Sequence, residues 1–356
     1  MDWTSSLRVK REEFRRTVKD ALAVLTKQPG KDRPHRGKLV EILHFGPNPG
    51  RLRMHVYAPP KLAPIGVPLV VLLHGCHQEA VAFAAASGWL AWADRLGIAL
   101  VLPEQLPSNH QGRCFHWFRP MDVQRGQGES GSIHAMIETA LRLFRADPGR
   151  VFVVGLSAGG AMATNLLAAY PNLFAAGAVI AALPAGAAHS FAHGIARMAE
   201  AGPPPGNDWA DAARALAPPG YSGPWPRISI WHGTADTVVD PANAENLVAQ
   251  WTGLHNLEPD SGIRLPSLPH VVHRIWGKGK LPLVEAWSIL GMGHGFPVHE
   301  KTRAPFMLNV GLDATEAIAH FFGLAEARGF LRPLKALRLL SDAPPHAPEL
   351  EALKSL

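Results

Sequence analysis

The sequence predicts an α/β protein with a mostly parallel central sheet, helices on both faces, and a cap-like excursion. Three observations carry this. Short runs such as Val67–Leu73 are apolar without alternation, the mark of strands covered on both sides. Between such runs lie stretches with apolar residues at helical spacing, as at Ile133, Met136, Ile137, Ala140, Leu141 and Phe144. Strands that alternate with helices along a chain connect into parallel sheets by right-handed crossovers.

Taken in order, residues 1–36 form a basic N-terminal extension. Phe14, Val18, Leu22 and Leu25 make one apolar stripe on a helix that Gly30 and Pro34 end. The stripe docks on the main domain or, alternatively, on a membrane surface or partner. The main domain spans 37–325 and opens with a hairpin, strands 39–45 and 52–57 about Gly46-Pro47-Asn48-Pro49-Gly50. The central strand Val67–Leu73 ends at His74-Gly75-Cys76-His77, and a helix over 79–96 leads to a strand at 98–102. A long loop, 103–130, carries Cys114-Phe115-His116-Trp117-Phe118 before the helix that holds Ile133 to Phe144. Asp147-Pro148-Gly149 turns the chain into strand 151–154, with a small-residue helix over 161–169 and a strand at 175–183 behind it. Residues 184–226, rich in Ala, Gly and Pro, read as a cap or excursion with weak internal structure. Strand 227–231, helix 242–251 and strands 271–276 and 284–290 come next. The last helix begins on a capping box, Asp313 with Glu316, and points Ile318, Phe321 and Phe322 inward. Residues 326–356 are a separate C-terminal tail.

The totals exclude several classes. A chain of 356 residues, 47% hydrophobic and 18% charged, is globular and long enough for a large core. The net charge of +6 comes from scattered basic residues without interleaved aromatics, so no nucleic-acid partner is expected. No apolar run reaches eighteen residues, so no membrane span is expected. Residues 8–19 are charged throughout and lack the apolar centre of a secretory leader. His270 and His273 fall on opposite faces of a strand and no third ligand has sensible spacing, so neither a metal nor a cofactor is expected. The chain's 2 cysteines, Cys76 and Cys114, are two thiols or one bridge, and spacing does not decide which.

The chemistry gathers on residues 151–160. Four β-favouring residues run into Gly155-Leu156-Ser157-Ala158-Gly159, and a helix comes directly after: the strand–turn–helix setting of a nucleophile elbow. A serine hydroxyl needs a neighbouring base, itself oriented by a carboxylate. Ser157, Asp236 and His294 supply these in the chain order of α/β-hydrolases, each just past a strand. Asp240 competes with Asp236, though its setting suits a helix cap better, and His299 competes with His294 without its flanking glycines. Backbone N–H groups of Ala158 and of the His74-Gly75-Cys76 turn are the candidate oxyanion donors.

Together these residues resemble the esterase family of secreted poly(3-hydroxybutyrate) depolymerases, short-chain-length type, in the α/β-hydrolase superfamily. The resemblance runs from about residue 66 to 323. It rests on His74-Gly75-Cys76-x-Gln78, Ser87-Gly88-Trp89, Pro103-Glu104-Gln105, Cys114-x-x-Trp117-Phe118, Gly155 to Met162, Trp231 to Asp236, Gln250-Trp251, and Gly291-Met292-Gly293-His294. It implies Ser157 as nucleophile, Asp236 as orienting acid, His294 as base, and an oxyanion hole from Cys76 and Ala158. It also implies a Cys76–Cys114 disulfide beside the Trp117 loop, with Trp117, Phe118 and Gln78 at the substrate; as an alternative, Trp117 and Phe118 simply pack the loop. Phe115-His116 departs from the Trp-Asn that family members tend to carry. The implied substrate is an ester or polyester of short hydroxyalkanoates, with feruloyl and acetylxylan esterases as similar alternatives. The family and its disulfide imply an extracellular setting, the N-terminus a cytoplasmic one. A non-catalytic binding protein on the same scaffold is the reading from another class.

Overall fold

The computed structural model describes residues 36–279, 281–300 and 303–325. The helix expected within residues 1–36 and the tail at 326–356 lie outside the described residues. Ten strands form one sheet in the spatial order β1-β2-β4-β3-β5-β6-β7-β10-β9-β8. The strands are β1 (Lys38–Ile42), β2 (Arg53–Ala58), β3 (Val67–Leu73), β4 (Ala99–Glu104), β5 (Ala146–Leu156), β6 (Ala176–Ile180), β7 (Arg227–Gly233), β8 (Ile263–Leu265), β9 (Val271–Trp276) and β10 (Val284–Ile289). From β4 to β10 every pairing is parallel; the β1–β2 hairpin and the β9–β8 pair join antiparallel at the two ends.

Every residue of β3, β4 and β6 is buried, which is why these strands read as unbroken apolar runs. Alternate side chains feed two separate cores. Leu69, Val71 and Leu73 pack with helices α4 (Gly128–Phe144), α5 (Ala158–Ala169) and α8 (Ala242–Leu254). Val70 and Leu72 pack on the other face, with α1 (Ala80–Ala86), α2 (Trp89–Leu96) and α9 (Ala314–Phe321). The helix expected over 79–96 is two helices, because Gly88 adopts φ 85° and Ser87 closes the first of them. A single-turn helix, α3 (Pro120–Val123), interrupts the long loop.

Residues 184–226 connect β6 to β7 and hold more structure than their composition suggests. They carry α6 (Phe191–Ala199) and α7 (Trp209–Arg214), whose N-termini are capped by the Ser190 hydroxyl and the Asp208 carboxylate. A second, two-stranded sheet pairs β11 (Phe296–Val298) with β12 (Met307–Asn309). Its strands of three residues are too short to show a period in the sequence. The Asp313 side chain accepts from Glu316 N at 3.1 Å, as its capping box requires.

Strand register aligns the ends of the parallel strands. Leu73 lies opposite Gly155, Leu156 opposite Ile180, and Gly233 opposite Ile289. The turns after β3, β5, β7 and β10 therefore open on one edge of the sheet.

Candidate active site

At that edge Ser157 caps the turn from β5 into α5 with φ 56° and ψ −120°, a backbone conformation L-residues rarely hold. Its N–H donates to Ile180 O at 2.8 Å, which fixes the turn against the neighbouring strand. The flanking glycines are required by space. A Cβ on Gly155 would collide with the carbonyl of Gly159, and one on Gly159 with the carbonyls of Leu73 and His74.

Ser157 Oγ–H donates to His294 Nε2 at 2.9 Å, and His294 Nδ1–H donates to Asp236 Oδ2 at 2.8 Å. Asp236 Oδ1 in turn accepts from Val238 N and Val239 N at 2.8 and 2.9 Å. Burial alone would raise the Asp236 carboxyl; hydrogen bonds from His232, His294 and Val239 N–H override it and hold the group well below the usual carboxylate range. Asp240 spends its carboxylate on Ala242 N and Ala201 N, and His299 is exposed. Neither competitor joins the hydrogen-bonded chain.

The turn after β3 is braced from several sides. Cys76 is disulfide-bonded to Cys114, and His77 N donates to Gly112 O at 2.7 Å. His74 Nδ1–H donates to Gly75 O, while its Nε2 accepts from Gln105 N. Burial pushes the His74 imidazole down to about 4, against the opposing pull of the Gly75 carbonyl, so it is neutral at pH 7. Among the described residues neither Ala158 N–H nor Cys76 N–H has a hydrogen-bond partner. Two donors left open at a braced turn and a helix start are what a developing oxyanion requires.

The three residues expected at the substrate are engaged with the protein. Gln78 Oε1 accepts from Gly75 N and its Nε2 donates to Pro305 O, so both ends of the amide hold the turn. Trp117 and Phe118 are buried under α6: both touch the space above Gly194, and Phe118 meets Phe191 edge-on at 5.5 Å. The packing alternative thus describes their surroundings in this structure.

Sequence spacing missed one cluster, His116 with Asp122 and Glu129, whose potential ligand atoms lie within 4.8 Å of one another. Its own hydrogen bonds explain it. The Glu129 carboxylate accepts from His116 Nδ1 at 2.6 Å, from His116 N at 2.7 Å, and from Gln105 Nε2. Burial raises the Glu129 carboxyl while the His116 bonds oppose that rise. The cluster latches the loop holding Trp117 onto α4. No pattern in the sequence pairs His116 with Glu129, which stands 13 residues further on.

A ten-stranded, mostly parallel sheet, helices on both faces and a serine elbow define the class: this is an α/β-hydrolase fold. Residues 52–266 match the esterase PHB depolymerase family model. The chain is 40% identical over 300 residues to the poly(3-hydroxyalkanoate) depolymerase C of Paucimonas lemoignei, covering 80% of this chain and 70% of that one. It is 35% identical over 276 residues to an acetylxylan esterase of Coprinopsis cinerea, covering 73% and 70%. An acetyl xylan esterase structure from Aspergillus awamori superposes with a TM-score of 0.70 at 26% identity, covering 81% of this chain and 100% of that one. The chain belongs to the esterase PHB depolymerase family and is a carboxylic ester hydrolase. Among the described residues no helix is long and apolar enough to cross a membrane.

Proposed function

We propose that this esterase works through Ser157, His294 and Asp236 and acts on short-chain hydroxyalkanoate esters or oligomers. The observation that carries the mechanism is the continuous chain Ser157 Oγ, His294 Nε2, His294 Nδ1, Asp236 Oδ2, with links of 2.9 and 2.8 Å. His294 takes the hydroxyl proton as Ser157 Oγ attacks the ester carbonyl. The carbonyl oxygen gains charge and is met by the N–H groups of Cys76 and Ala158. Collapse breaks the bond to the leaving alkoxide, which takes the proton from His294 and departs as the alcohol. Water, deprotonated by His294, then attacks the acyl-serine, and the acid leaves as Ser157 recovers its proton. Asp236 stays ionised throughout and stabilises the imidazolium. Gln78, Trp117 and Phe118 shape the site from behind, by holding the oxyanion turn and seating α6.

Hydroxyalkanoates are favoured as substrate by the 40% identity to a poly(3-hydroxyalkanoate) depolymerase. A second reading, an acetylxylan-type carbohydrate esterase with the same chemistry, is supported by full coverage of the Aspergillus awamori enzyme at a TM-score of 0.70. S157A assayed on p-nitrophenyl butyrate tests the mechanism: a fall of about 10⁴-fold or more in kcat is expected, and a parental rate contradicts it. Rates on hydroxybutyrate oligomers set against acetylated xylan decide the substrate.

A further inference from the structure

The Asp236 carboxylate has a second imidazole partner that the hydrolytic cycle leaves idle. His232 lies near the end of β7, opposite Ser288 of β10, and is 2% exposed. Its Nε2 stands 3.3 Å from Asp236 Oδ2, the oxygen that also receives His294 Nδ1, and 3.0 Å from Val239 O. Both neighbours are acceptors, so Nε2 carries the proton; it donates to Val239 O and stands beside Asp236 Oδ2. Among the described residues its Nδ1 has no hydrogen-bond partner.

We propose that His232 is a positioning residue for the hydrolysis: its Nε2–H ties the Asp236 carboxylate to the Val239 carbonyl and limits how strongly Asp236 can favour a protonated His294. This role rests on the proposed triad. With the two Oδ1 bonds from Val238 and Val239 and the Oδ2 bond from His294, the carboxylate receives three donors, and His232 Nε2 at 3.3 Å is its fourth polar contact. Two further ionisable groups near His232 are paired. A small cavity that reaches it from the α8 side is lined also by Glu245, which Arg274 of β9 holds in an ion pair. Asp240, beyond Val239, is taken up by two backbone N–H groups.

The consequence has a sign. Removing the His232 donor leaves Asp236 Oδ2 more basic, which stabilises the imidazolium of His294 and raises the pH at which it deprotonates. The acid limb of the kcat/KM profile tracks the proton on the base in the free enzyme. His232→Phe is expected to lower kcat about tenfold through lost orientation, with KM unchanged. The acid limb moves upward by about half a pH unit or more. His232→Gln puts an amide N–H where Nε2 stood and restores both the rate and the limb. Should His232→Phe fail to fold, His232→Asn, whose amide reaches only the Nδ1 position, carries the same test. An acid limb at its wild-type pH in the Phe or Asn variant overturns the proposal whatever the rate, as does a Gln variant that behaves like Phe. Measuring S157A alongside separates the two ideas. A catalytically competent S157A removes the triad itself; an inactive S157A with an unmoved limb in the His232 variants removes this role alone.

Discussion

Ser157 stands at φ 56° because its turn must reverse a strand into a helix within one residue. Such a conformation costs about 1–3 kcal/mol and persists only where surrounding contacts over-determine it. Those contacts are the Ser157 N–H bond to Ile180 and the backbone approach of Gly159 to Leu73 and His74. G159A should therefore lose about 3 kcal/mol or more of stability, read as a lowered urea midpoint; an unchanged midpoint would show that the two turns can separate freely. In the proposed triad Asp236 sets the tautomer of His294, so D236N, which can present an N–H to Nδ1, should lower kcat by about 10³–10⁴-fold while leaving the fold intact. His74 gives a pH prediction. Its folded value of about 4 lies below the 6.5 of an unfolded histidine. Between those limits the unfolded chain binds the extra proton, so stability falls as pH drops from about 6.5 to 4, by about 3 kcal/mol from this group. Below about 4 both states are protonated and the loss is complete. An NMR titration that found His74 protonating near 6.5 would contradict this.

Elements that carry the chemistry were legible where burial imposes a pattern. Val67–Leu73 is covered on both faces and showed as an unbroken apolar run. The elbow showed because only glycine fits at 155 and 159. What stayed hidden depends on single residues or on contacts distant in sequence. Gly88 alone splits α1 from α2, and three-residue strands such as β8 and β11 are too short for a period. The helix Phe191–Ala199 carries Phe191, Ile195 and Met198 at helical spacing, a signal passed over among the Ala, Gly and Pro of residues 184–226. No periodicity could link His116 to Glu129 across a loop whose path is set by tertiary hydrogen bonds. That loop and the oxyanion turn are joined by the Cys76–Cys114 disulfide, which spans 38 positions. C114S should cost up to about 4 kcal/mol of stability and lower kcat more than it raises KM, because Cys76 N–H loses its brace. Urea unfolding with and without reductant, paired with steady-state rates, checks both; identical curves would show that the hydrogen bonds suffice.

On the scale of the whole molecule, the sheet order gathers residues from four distant turns along one edge, 74–76, 157–158, 236 and 294. Right-handed parallel crossovers make that convergence possible, and chain order alone anticipated it. Substrate choice was far less legible: no sequence pattern showed that α6 sits over Trp117 and Phe118, a close seating that Gly194 allows. A hydroxyalkanoate esterase should turn over hydroxybutyrate oligomers at least about tenfold faster, by kcat/KM, than acetylated xylan, a gap of about 1.4 kcal/mol in transition-state binding; the reverse ratio would favour the carbohydrate reading. At every scale the proposed chemistry depends on a nucleophilic Ser157. Labelling with an alkyl fluorophosphonate, combined with peptide mass spectrometry, tests that most directly. One adduct on the peptide containing Ser157, rising in step with the loss of esterase activity, is the predicted result. Full inactivation with Ser157 unmodified, or a labelled Ser157 with activity retained, would contradict it.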